Sequence, residues 1–84
     1  MRDFLDQDGR SWTARVDERE GVDYKGRYFL TLAPTDGNGD DVPLVDVRWN
    51  SERTARRTLE TMSVVELRRR LRSALGRVSA PVAV

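Results

Sequence analysis

Eighty-four residues and 9.6 kDa leave room for one small domain and exclude a two-domain enzyme. With 38% hydrophobic and 35% charged residues, the chain supports one modest core and no apolar run long enough to span a bilayer. The absence of His and Cys removes His/Cys zinc sites, thiol nucleophiles, imidazole bases and disulfides together. The formal net charge of +1 conceals a dipole: residues 1–50 hold seven cations and eleven anions, a balance of −4, and residues 51–84 hold eight and three, a balance of +5. All the cations except Lys25 are arginine, which suits planar contacts with phosphate or carboxylate, although a GC-rich coding sequence produces the same bias.

Asp8-Gly9 has the composition of a two-residue type I′ hairpin turn. That turn sets Leu5 opposite Trp12 and Phe4 opposite Thr13, so Leu5 and Trp12 are expected on one face. Trp12, Ala14 and Val16 alternate with Thr13, Arg15 and Asp17 at the period of a half-buried strand, with the Trp12 face inward. A longer connection runs from Glu20 to Gly26. Arg27–Ala33, rich in Tyr28, Phe29 and Thr31, then reads as a central strand. Pro34–Asp41 is turn-rich. Leu44–Trp49 alternates again, with Val45, Val47 and Trp49 on one face and Leu44, Asp46 and Arg48 on the other.

At Asn50-Ser51 the period changes from strand to helix, behind two good N-cap residues. Ala55, Thr58, Leu59 and Met62 fall within an arc of about 100°, opposite Arg53, Arg56, Arg57 and Glu60. Ser63 and Glu66 have the spacing of a capping box, with Met62 placed to staple onto Leu67. The second helix is predicted over about Val64–Leu75, with Val64, Leu67, Leu71, Ala74 and Leu75 as its apolar stripe and Gly76 as a left-handed C-cap. Four hairpin-connected strands and two amphipathic helices give an α+β domain of order ββββαα over residues 1–76, the helical stripes resting on the Trp12/Val47 face. Residues 77–84 read as a loosely held tail. Trp12 and Trp49 are the expected anchors.

No motif names an activity. Arg53, Arg56 and Arg57 on the first helix and Arg68, Arg69 and Arg72 on the second are the candidate partner-binding residues. Glu52 to Arg56 and Glu66 to Arg70 are local i,i+4 pairs, and Glu60 stands three after Arg57. Three glutamates cannot neutralise seven arginines, and Asp17, Glu18 and Asp46 are intramolecular candidates for the surplus. The two helices loosely resemble a helix-turn-helix, but a strand precedes them where a third helix belongs. Asp36, Asn38 and Asp40 match the first, third and fifth calcium-ligand positions of an EF-hand, yet Asp41 replaces the Gly and Val47 the final Glu, so an acidic hairpin turn is expected and no metal site is assigned. Tyr24, Tyr28 and Phe29 are close in sequence, and Phe29 on a face with Arg15 and Arg27 is a candidate stacking surface. The remaining carboxylates, hydroxyls and Lys25 lack a cleft to tune them, which points away from catalysis and from a cofactor. The reading is a small non-catalytic interaction or regulatory module that meets an acidic protein surface through its Arg-rich helices. A nucleic-acid-binding module using the same helices is the alternative. No membrane contact is expected, and the absence of an export signal predicts a cytoplasmic setting.

Overall fold

The Asp8-Gly9 hairpin closes over three residues, Gln7-Asp8-Gly9, instead of two. Asp6 N–H donates to the Arg10 carbonyl at 2.9 Å, Gly9 N–H donates to the Asp6 carbonyl at 3.1 Å, and Gly9 takes φ +83°, the left-handed bulge that follows a type I turn in three-residue hairpins. The extra loop residue shifts the pairing of β1 (Arg2–Leu5) with β2 (Ser11–Glu18) by one: Phe4 pairs with Trp12 and Leu5 with Ser11. A one-residue slip turns every side chain of a strand to the other face. Phe4 is therefore buried beside Trp12, and Leu5, expected inside, is 52% exposed.

In the computed structural model, which describes residues 1–19 and 26–79, β1 and β2 continue into β3 (Tyr28–Pro34) and β4 (Val42–Trp49). The sheet is antiparallel with order β1-β2-β3-β4, followed by α1 (Glu52–Thr61) and α2 (Val64–Ser79). The architecture is thus α+β, ββββαα. The expected Glu20–Lys25 connection, with Tyr24 and Lys25, and tail residues 80–84 lie outside the described residues.

The face of β4 also departs from simple alternation. Leu30 pairs with Leu44, but two residues back Tyr28 pairs with Trp49, five residues further along β4. The irregularity places an odd number of extra residues on the edge strand, so the pleat changes parity across it. Leu44 and Trp49 consequently share the inner side, Trp49 packing half-buried against the core. Val45 and Val47 are 40% and 39% exposed, and the expected Trp12/Val47 face is replaced by a Phe4/Trp12/Leu44 face. Arg48 Nε closes the bulge by donating to the Val45 carbonyl at 2.9 Å.

Both helices cover this inner face, as two amphipathic elements beside a one-sided sheet must. Ser51 caps α1 with extended backbone, its Oγ accepting from Thr54 N–H at 3.2 Å. Ala55 and Leu59 point into the core, and Met62 follows at the C-cap. α1 has no cation in its last turn. Arg2 of β1 supplies one, its guanidinium donating to the carbonyls of Leu59 (3.0 Å) and Met62, where the helix dipole is negative. Ser63 Oγ accepts from Glu66 N–H at 3.1 Å, but the Glu66 carboxylate turns to Arg69 and Arg70, so only the Ser63 half of the capping box is in evidence. Leu67, Leu71 and Ala74 are buried, and α2 lies against both edge strands of the sheet, β1 and β4.

α2 does not stop at Leu75. It continues to Ser79, and Gly76 lies inside it without positive φ, so the expected left-handed cap is absent. Nothing lies within 4 Å of a Cβ built there. Gly76→Ala is expected to raise stability by about 0.5–1 kcal/mol, the helix-propensity difference, read by urea denaturation. The hairpin register has its own test: Phe4→Ala should cost about 3–5 kcal/mol and Leu5→Ala no more than about 0.5, whereas the two-residue turn requires the reverse order.

Candidate interaction surface

Helical periodicity puts the six candidate arginines outside the core, and the structure divides them into engaged and unengaged groups. Arg56 is tied to Glu52, Nη2 to Oε1 2.7 Å, and Arg69 and Arg70 both pair with Glu66. Arg68 Nε donates to the Leu5 carbonyl at 2.7 Å, so this guanidinium covers the outer edge of β1, where an open strand otherwise offers backbone groups to other chains. Arg53, Arg57 and Arg72 are exposed and make no ion pair among the described residues. The expected Arg57–Glu60 pair is not formed, while the Glu52–Arg56 and Glu66–Arg70 pairs are. Asp17, a candidate for neutralising the helices, instead accepts from Arg15 Nε at 3.0 Å on the opposite side of the sheet.

Arg53 and Arg57 are successive turns of one helix face. Like charges at i,i+4 disfavour a helix by about 0.2–0.5 kcal/mol. Arg53 also sits in the first turn of α1, where the dipole repels a cation. Neither cost is relieved by an ion pair with a carboxylate among the described residues.

On the open face of the sheet, pairing of Asp17 with Phe29 and of Arg15 with Thr31 places Phe29 and Arg15 on one side, as the stacking surface requires. Arg15 is already engaged, however, reaching Asp17 and, through Nη2, Asp41 at 2.7 Å. These carboxylates hold the Arg15 guanidinium pKa above its ordinary value, the Asp41 bond being the larger cause. The aromatic contact with a cation lies elsewhere: the Arg10 guanidinium is 5.2 Å from the centre of the Trp12 ring. The acidic turn after β3 is likewise committed. Asp36 accepts from Asn38 N–H at 2.8 Å and lies 3.7 Å from Arg10, Arg10 also donates to the Asn38 carbonyl, and Asp41 holds Arg15. Among the described residues no group of three or more His, Cys, Asp or Glu side chains is placed to hold a metal ion.

Sequence periodicity missed two grooves. One, of about 140 Å³, lies between the β4 bulge and α2 and is lined by Leu44, Asp46, Val47, Arg70 and Ser73. The other, of about 240 Å³, lies between the β1–β2 turn and α2, bounded by Asp6, Asp8, Arg68, Leu71, Arg72 and Leu75. Its turn wall is built by the Asp6 carboxylate, which accepts from Asp8 N–H (2.9 Å), Arg10 N–H (2.9 Å) and Trp12 Nε1–H (2.9 Å). The short spacing from Asp6 to Trp12 across a turn was the available signal for this bond.

No helix of the described residues is long and apolar enough to cross a membrane. No protein-family model, no curated protein and no solved structure matches this chain.

The Trp12 indole bond, followed by the Arg10 N–H, holds the Asp6 carboxyl below its ordinary pKa of 3.8 against the smaller opposing effect of desolvation. A depressed folded-state pKa stabilises the fold above the unfolded value and is lost as pH falls through the folded value. Asp6→Asn is therefore expected to lower the thermal midpoint near neutral pH, and its deficit relative to the wild type should shrink as the pH is lowered through and below the ordinary carboxyl range. A deficit constant across that range excludes the linkage.

Proposed function

We propose that the protein is a small, non-catalytic, cytoplasmic interaction module that binds an acidic protein surface through the arginines of its helical layer, with Arg53 and Arg57 at the centre of the contact. The carrying observation is that Arg53 and Arg57 stand i,i+4 on the exposed side of α1, at an electrostatic cost to the helix, without an ion pair among the described residues. A carboxylate-bearing partner relieves that cost on binding, because two guanidinium forks one turn apart match two carboxylates on a facing element. Arg72 adds a cation from α2 that makes no ion pair among the described residues, and Arg56, Arg68 and Arg69 supply the surrounding positive field while held by Glu52, the Leu5 carbonyl and Glu66. The negative balance of residues 1–50 supports a discrete acidic patch over a continuous polyanion such as DNA, whose field extends over the acidic strands as well.

The test compares the wild type with Arg53→Ala/Arg57→Ala in affinity capture from the native cell, with and without nuclease, alongside retention on duplex DNA at about 50 mM salt. A protein held by the wild type, insensitive to nuclease and lost with the double variant supports the reading. Nuclease-sensitive capture or DNA retention that the double variant loses replaces it with nucleic-acid binding, and capture equal for both chains overturns both. The double variant should keep its thermal midpoint or gain a few tenths of a kcal/mol, which separates lost binding from lost folding.

A further inference from the structure

The groove between the β1–β2 turn and α2 carries opposite charges on opposite walls. The helix wall presents Arg68 and Arg72, the turn wall Asp6 and Asp8, and Leu71 and Leu75 lie between them. Two of these charges are engaged inside the molecule: Arg68 by the Leu5 carbonyl, and Asp6 by three donors. The other two, Arg72 and the Asp8 carboxylate, are exposed and make no ion pair among the described residues. Leu75 beside them is 37% exposed.

This arrangement restricts what can occupy the groove. A purely acidic ligand meets Asp6 and Asp8, a purely basic one meets Arg68 and Arg72, and an uncharged one desolvates Arg72 and Asp8 without pairing them. The fitting occupant brings an apolar side chain flanked by one cation and one anion. A second copy of this chain carries that pattern on the same patch. A two-fold axis through the groove sets Arg72 of each copy against Asp8 of the other and brings the two Leu75 side chains together, the self-complementarity an isologous contact requires. The net charge of +1 adds little repulsion between copies.

We infer that the protein forms a two-fold homodimer through this groove, with reciprocal Arg72–Asp8 pairs around Leu75. The contact does not rest on the acidic-partner reading: Arg53 and Arg57, its centre, belong to α1 and line neither wall, and Arg72, which a single copy adds to the partner-facing field, is engaged by Asp8 of the second copy in the dimer. The dimer presents the Arg53–Arg57 face twice, which raises the apparent affinity for a partner with two acidic patches.

Sedimentation velocity of the purified full chain tests this. The wild type should sediment at twice the 9.6 kDa chain mass. Arg72→Asp and Asp8→Arg should each weaken association at least about tenfold by placing like charges opposite each other. The combined Asp8→Arg/Arg72→Asp chain should recover the dimer, because the exchanged charges meet again. Leu75→Ser gives an independent loss, and circular dichroism confirms that each variant is folded. A wild type that stays monomeric up to about 0.5 mM, single variants that dimerise like the wild type, or a folded double variant that stays monomeric overturns the proposal. DNA or acidic-partner binding leaves the outcome unchanged, because neither is present.

Discussion

The Asp6 carboxylate is the constraint on which the rest of the molecule depends. By accepting from Asp8 N–H, Arg10 N–H and the Trp12 indole, it fixes a three-residue turn, and the turn fixes the pairing of β1 with β2. That pairing sends Phe4 to the core beside Trp12 and leaves the Leu5 carbonyl on the sheet edge within reach of Arg68. The same carboxylate forms a wall of the larger groove. One ionised side chain therefore sets the sheet register, the seat of α2 and the shape of the surface between them.

A second constraint lies at the opposite edge. The bulge in β4 lets Leu44 and Trp49 serve one core although an ideal strand sends them to opposite sides. Four strands give a small inner face, and two helices must both be covered by it, so a parity change that recruits Trp49 increases the apolar area available at one end. The displaced residues, Val45 and Val47, face outward on an edge strand that also contains Pro43 and Asp46. Pro43 offers no N–H to an added strand, and Asp46 is a charge that such a strand must desolvate, so the edge resists pairing despite its valines.

Charge is distributed by function of place. The sheet neutralises itself locally, through Arg15 with Asp17 and Asp41 and through Arg10 with Asp36. The helices have only Glu52, Glu60 and Glu66 for seven arginines between Arg53 and Arg72, and the pairs of Arg56 with Glu52 and of Arg69 and Arg70 with Glu66 are intrahelical. Surface pairs of this kind contribute little to stability, so the arrangement bears on recognition more than on folding.

Local chemistry along the chain is enough to give the elements and their order. Asp-Gly, Ser51 and Ser63 mark turns and caps through local backbone chemistry, and the 2.0 and 3.6 periods mark strands and helices, so the ββββαα order and the buried stripes Ala55/Leu59 and Leu67/Leu71/Ala74 are legible residue by residue. The outward position of the six candidate arginines is legible on the same ground. Register, bulge parity and the end of α2 were not. Each is decided by competition between near-equal local solutions: a two- or three-residue loop at Asp8-Gly9, an even or odd count across β4, a helix stopping at Gly76 or running through it. Side-chain contacts settle that competition, the Trp12–Asp6 bond across the turn for the first and the position of Trp49 against the core for the second. The i,i+4 pairs of Arg56 with Glu52 and of Arg70 with Glu66 were legible from spacing, whereas tertiary structure alone decided that Arg68 is engaged, because it meets Leu5 across 63 positions of the chain, a separation on which no local pattern reports.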